Sequence, residues 1–275
     1  MYKSYVVQSE GWNSGKMQDR SLNDSRDGEH MFAVLDGHGH RPGTGEKTTD
    51  VVDFVKTNLA KVLWQEREQW NNIKDSFVWC FDKLQASISA IGFLDGTTAT
   101  VLYIDSDDNH HVAYVWDSPI YGVQGLKVED IVWKDNYHKV KNIYKNEEYV
   151  RIEELYDARL MRNMYYTGYI ANLNITRYLG DRRTMWENYI PEVVSLKKKY
   201  DRYLLTSDGM DVFSVDWISD MIWWLDLESG LDAVLSGYKE KIKIALDFLE
   251  GREDCFSSQY THLDHATMLG VEKNG

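Results

Sequence analysis

With 275 residues, 43% of them hydrophobic and 27% charged, the chain is long enough to bury a sizeable core and too apolar to stay disordered. Its 44 acidic residues against 31 basic ones give a net charge of −13, a field that repels nucleic acid and anionic membranes and makes both poor partners. Only 3 prolines exclude a proline-rich linker, and the 2 cysteines, Cys80 and Cys255, stand far apart without Cys or His at ligand spacing, which excludes a disulfide framework or a zinc site.

In chain order, the N-terminal MYKSYVVQSEGW lacks the apolar segment of a signal peptide, and no run reaches the roughly 18 apolar residues that span a bilayer. A soluble, cytoplasmic protein is the expectation. Tyr5 to Val7 and Met31 to Leu35 read as strands. Val51, Val52, Val55, Leu59, Val62 and Leu63 recur at helical spacing, as do Ile73, Phe77, Phe81, Leu84 and Ile88 after the capping pair Asn71-Asn72. Cys80 falls on the apolar face of that second helix and is expected in the core.

Next come Ala99 to Ile104, His111 to Trp116 and Ile120 to Val123, short runs of β-branched and aromatic residues bounded by Asp, Ser and Gly. The turns between them are only a few residues long, so these strands form an antiparallel meander. His110 and His111, beside the acidic turn Asp105 to Asn109, are expected on the surface. Lys134 to Arg162 is highly charged and irregular, and an insertion over about 134–170 is expected. Arg202 to Thr206 reads as a strand, Met210 to Leu227 and Leu231 to Leu249 as helices, and Ala266 to Val271 as a final strand. Strands and helices come in blocks without strict alternation, which predicts an α+β class with antiparallel sheets covered by helices, in one domain over 1–275.

Several apolar strands stop abruptly at a carboxylate. Met31 to Leu35 ends in Asp36-Gly37-His38-Gly39, Tyr203 to Thr206 ends in Ser207-Asp208-Gly209, and Asp264 precedes Ala266 to Val271. If the last strand runs antiparallel to the other two, all three carboxylates meet at one edge, with Asp117, after the strand His111 to Trp116, a fourth. A lone Asp-Gly is only a turn signal, the reading given to Asp27-Gly28 and Asp95-Gly96. Gathered carboxylates repel one another unless cations sit among them, and an all-oxygen set selects Mg²⁺ or Mn²⁺.

These residues carry a family resemblance. FAVLDGHG at Phe32 to Gly39, GTTATVLYI at Gly96 to Ile104, NITRYLGD at Asn174 to Asp181, PEV at Pro191 to Val193, LLTSDGMDVFS at Leu204 to Ser214 and DHATMLGV at Asp264 to Val271 occur in the order found in the type 2C metal-dependent Ser/Thr protein phosphatases. The chain resembles that family from about Ser9 to Val271. The resemblance implies a sandwich of two antiparallel β-sheets flanked by α-helices, four layers αββα, with two Mn²⁺ or Mg²⁺ ions in a cleft at one end. It implies that Asp36 bridges the ions, that the Gly37 carbonyl binds one, and that Asp208 and Asp264 bind the other.

By the same resemblance Arg20 matches the phosphate-binding arginine, Asp24 falls at an acidic position of the metal shell, and Asp117 with Asp208 holds an additional, weaker ion. The stretch from Arg20 to Ser25 is one residue shorter than the commonest form. His38 is placed to protonate the departing Ser or Thr oxygen as general acid. His40 stands where the family has Gly, His265 where it has Asn, and Trp116-Asp117-Ser118-Pro119 where it has Gly-Asp-Ser-Arg. The implied activity is hydrolysis of phosphoserine and phosphothreonine in phosphorylated protein partners, and a monomer is the default expectation. The alternatives are a catalytically silent relative that binds proteins, and a phosphatase of small phosphorylated molecules.

Overall fold

Alternation along each strand, with one face turned to helices and the other to a second sheet, organises this chain. The computed structural model describes residues 1–9, 17–39, 48–93, 95–115, 118–125, 127–131, 179–180, 189–207, 228–237, 239 and 266–273. Its elements are β1 (Tyr2–Ser9), β2 (Arg20–Arg26), β3 (Glu29–Leu35), β4 (Gly37–His38), α1 (Asp50–Gln69), α2 (Ile73–Ile91), β5 (Gly96–Thr97), β6 (Ala99–Ile104), β7 (His110–Val115), β8 (Ile120–Gln124), β9 (Lys127–Asp130), β10 (Glu192–Ser195), β11 (Arg202–Thr206) and β12 (Ala266–Lys273), with a further helix over 228–237. One five-stranded sheet has the order β1-β12-β11-β8-β9 and a second the order β10-β7-β6-β3-β2, while β4 and β5 form a small ribbon. All these pairings are antiparallel, as the sequence predicts for the meander.

The two faces of β3 divide the core. Met31, Ala33 and Leu35 join Val51, Val55, Leu59, Leu63, Phe77, Cys80, Phe81 and Leu84 in a cluster beneath α1 and α2. Phe32 and Val34 join Leu102, Ile104, Val112 and Tyr114 of their own sheet and Ile120, Tyr203, Leu205, Leu269 and Val271 of the other, filling the space between the sheets. The helix over 228–237 buries Leu231 and Val234, and its Asp232 accepts a hydrogen bond from the Tyr5 hydroxyl of β1. This is the α+β sandwich with helices outside. Strand β3 is buried on both faces, so its apolar residues run on without alternating with polar ones.

Helix α1 begins at Thr49, whose side chain makes no capping bond; the Val51 N–H is met instead by Asp95 Oδ2 at 3.2 Å. Asp95 is therefore more than the turn residue expected from Asp95-Gly96. Helix α2 starts as predicted, Asn72 accepting from the Lys74 N–H, and ends at Gly92, whose φ of 83° is the left-handed conformation glycine adopts at little cost. Asp27 and Gly28, at φ 53° and 85°, form the tight β2–β3 hairpin turn expected of them. His110 and His111 depart from expectation. Both are buried, His110 between Tyr2 and Tyr203 and His111 against Ser195. The expected insertion and the helix expected over Met210 to Leu227 lie outside the described residues.

Candidate active site

Asp36 leaves β3 at the point where the chain turns into the β4–β5 ribbon, and a threonine pair grips its backbone from both sides. The Asp36 carbonyl accepts from the Thr98 N–H at 2.8 Å and from Thr97 Oγ1 at 3.0 Å, while the Asp36 N–H donates to Thr98 Oγ1 at 3.2 Å. Gly37 pairs with Thr97 and His38 with Gly96. Two glycines are required by space. A Cβ on Gly37 would lie 2.5 Å from the Gln18 carbonyl and 3.0 Å from Val52 of α1, and one on Gly39, at φ 126°, would lie 2.7 Å from the Asp95 Cβ. The Asp-Gly-His-Gly run thus packs directly on α1 and on the residue that caps it.

The other sheet brings the start of β8, the end of β11 and the start of β12 to the same edge. Ser207, just past β11, donates its N–H to the Thr267 carbonyl and accepts the Thr267 N–H on its hydroxyl, each at 2.9 Å, and Thr206 donates to the Pro119 carbonyl at 3.0 Å. The residues 118–119, 206–207 and 266–267 therefore lie side by side. Ser118 Oγ reaches Thr98 Oγ1 at 2.8 Å, which ties this edge to Asp36 across the sandwich. Asp117, Asp208 and Asp264, with His40 and His265, lie outside the described residues, one or two residues from these anchored positions. Among the described residues no three His, Cys, Asp or Glu side chains cluster as a metal site.

The donor set fits hard divalent cations. The candidate ligands Asp36, Asp117, Asp208 and Asp264 are all carboxylates, with no thiolate among them, which suits Mg²⁺ or Mn²⁺ rather than zinc. Thr206 Oγ1, buried at this edge, has no hydrogen bond among the described residues, so a polar group is already desolvated there.

Strand β2 corrects part of the sequence expectation. Arg20 pairs with Leu35 and lies on the helix-facing side, its Nε on Asp53 Oδ1 of α1 at 2.7 Å and its Nη1 on the carbonyls of Met17 and Asp19 at 2.7 and 2.8 Å. The guanidinium fastens β2 to α1 and braces the chain before it. Asp24 pairs with Met31, five residues and roughly 17 Å along β3 from Asp36. Its Oδ2 accepts from the Trp64 indole of α1 at 3.1 Å and its Oδ1 from the Ser25 N–H. Asp24 is not brought to Asp36.

The acidic residue at this end is Asp19, which sequence reasoning missed. It is 1% exposed and stands one step beyond the Arg20–Leu35 pair, as Asp36 does on the neighbouring strand. The signal was present: setting Arg20 against the last residue of the apolar run places Asp19 across from Asp36. Neighbouring Gln18, also buried, donates to the carbonyls of Gly39 and Thr48 at 3.0 and 2.9 Å and joins the two described ends of the 39–48 connection.

No family model and no curated protein matches the chain. Solved structures do. The PPM Ser-Thr phosphatase MsPP from Mycobacterium smegmatis, in complex with cacodylate, aligns at a TM-score of 0.59 and 15% identity over 99% of this chain and 98% of that one. The catalytic domain of the serine threonine protein phosphatase PstP, in complex with 2 manganese ions, aligns at 0.62 and 15% identity over 98% and 97%. A C. elegans sex determining protein aligns at 0.65 and 18% identity over 98% of this chain and 64% of its own length. The chain has the fold of the PPM phosphatases.

Proposed function

We propose that the chain is a metal-dependent phosphatase acting on phosphoserine and phosphothreonine in proteins. The observation that carries this reading is the gathering at one edge of Asp36 and of the anchored positions beside Asp117, Asp208 and Asp264, supported by a fold shared with Ser/Thr phosphatases along nearly the whole chain. In this reading Asp36 and the Gly37 carbonyl, with Asp208 and Asp264, hold two Mn²⁺ or Mg²⁺ ions. Asp19 takes the acidic position that the resemblance gave to Asp24, and Asp117 contributes with Asp208 to a weaker third site. Divalent ions held there would acidify water and so supply a nucleophile for phosphorus.

The chain's own groups do the rest. The Thr97–Thr98 grip fixes the backbone of Asp36 and so the direction of its carboxylate. His38, carried on the same ribbon, donates a proton to the departing serine or threonine oxygen. In the test, the full chain is assayed on phosphothreonine peptides with Mn²⁺, with Mg²⁺ and with chelator. Hydrolysis that stops with chelator and returns with either ion is expected. Metal binding without hydrolysis of any phosphopeptide would make the chain a silent relative, and turnover that survives exhaustive chelation would remove the metal from the mechanism.

A further inference from the structure

Four hydroxyl groups link Asp36 to the turn beside Asp117. Thr98 Oγ1 accepts the Asp36 N–H and meets Ser118 Oγ at 2.8 Å, Thr97 Oγ1 donates to the Asp36 carbonyl, and Thr100 Oγ1 donates to the carbonyl of Ser118. Thr97, Thr98, Thr100 and Ser118 are all fully buried. Asp36 follows β3 of one sheet, and Ser118 leads into β8 of the other.

Because Thr98 Oγ1 accepts from Asp36, its own proton is available to Ser118 Oγ. One side chain thus sets the position of both segments. In a dry site a lost hydroxyl partner leaves two polar groups unsatisfied, and a carboxylate ligand tolerates only about 0.5 Å of displacement before its geometry fails.

Resting on the metal reading of the site, we propose that Thr98 is a positioning residue that couples the backbone of Asp36 to Ser118, the described neighbour of Asp117, so that the ions held by Asp36 and the weaker ion assigned to Asp117 bind cooperatively. Valine at 98 keeps the shape and removes the hydroxyl; serine keeps the hydroxyl and removes a methyl. Ser118→Ala breaks the same link from its far end, at a residue the reading gives no metal to hold.

Mn²⁺ is titrated calorimetrically into the wild type, Thr98→Val, Thr98→Ser and Ser118→Ala, with circular dichroism to establish folding and phosphopeptide turnover measured in parallel. Thr98→Val is expected to weaken Mn²⁺ binding about ten-fold, within the usual range of coupling between sites. Ser118→Ala should weaken the tight class of sites in the same direction, and Thr98→Ser should stay within about three-fold of the wild type.

A folded Thr98→Val that binds Mn²⁺ as the wild type does, or a Thr98→Ser as impaired as Thr98→Val, overturns the inference. If Thr98→Val does not fold, Ser118→Ala decides: an unchanged tight class overturns the coupling. A wild type that binds no Mn²⁺ removes the proposed function and this inference together, whereas wild-type binding with unaffected variants removes the inference alone.

Discussion

His38 sits opposite Gly96 on a strand of only two residues, next in line after the backbone that carries Asp36 and Gly37. A general acid matters in proportion to how poor the leaving group is. His38→Ala is expected to slow phosphoserine peptide turnover by about 10²–10⁴-fold and p-nitrophenyl phosphate much less, because a nitrophenolate departs without protonation. Equal losses on both substrates would make His38 a structural residue.

Arg20 calls for the opposite pattern. Its Nε and Nη1 are committed to Asp53 and to two carbonyls, so Arg20→Ala should lower the unfolding midpoint and leave KM for a phosphopeptide within about three-fold. A ten-fold rise in KM at unchanged stability would return it to the phosphate-binding role that the resemblance implies. The sequence located Asp36 because an apolar run ending in Asp-Gly-His-Gly is hard to mistake. It misled at Asp24, because motif spacing says nothing about strand register, and register moves a side chain from one end of a strand to the other.

At the scale of elements, the legible ones were buried on two faces or strongly periodic. Strands β3, β6, β8, β11 and β12 and helices α1 and α2 were all readable from their apolar runs. Apart from the two-residue β4 and β5, the strands that escaped are β2, β9 and β10, and each lies at the edge of a sheet. An edge strand such as Arg20-Ser21-Leu22-Asn23-Asp24-Ser25-Arg26 carries mostly polar side chains, and its pairing is decided by its neighbour.

The β6–β7 turn was misjudged for a related reason, since its histidines look solvated in sequence while β7 is an interior strand. His110 bonds Tyr203 through Nδ1 and Tyr2 through Nε2, joining the two sheets at the end remote from Asp36. Burial lowers the pKa of His110 and of His111 against the opposing pull of Asp108 and Asp105. The unfolded chain therefore takes up these protons first. The stability they contribute is present above the ordinary histidine pKa, about 6.5, and is lost as pH falls through the lowered values.

Asp108 acts in a lower window, below about pH 4. Burial pushes its pKa up, but bonds from Tyr2, Lys273 and Lys199 outweigh this and hold it well below the usual carboxylate range. Urea unfolding at pH 7.5 and 5.5 should show a loss of stability at the lower pH that shrinks in His110→Gln. An undiminished difference in the variant would assign the acid sensitivity to other groups.

At the scale of the whole molecule, two sheets with a common core bring separate stretches of sequence to one edge. The end of β3, the start of β8, the end of β11 and the start of β12 span residues 35 to 266, yet they are tied by the Thr98–Ser118, Thr206–Pro119 and Ser207–Thr267 hydrogen bonds. The sequence revealed that several strands meet carboxylates. Only the pairing of β11 with β8 and β12, together with the Thr98 bridge, puts those strand ends on one side.

Among the described residues no helix is long and apolar enough to cross a membrane. In the proposed reading a net charge of −13 disfavours the approach of a phosphorylated substrate, and cations held at the site would reverse the sign locally. The most direct measurement is therefore phosphothreonine peptide hydrolysis by the wild type and by Asp36→Asn across a Mn²⁺ titration. The wild type should turn over in proportion to metal occupancy, while Asp36→Asn should be slower by several orders of magnitude at every Mn²⁺ concentration. Matching titration curves and rates for the two proteins would contradict a metal site built on Asp36.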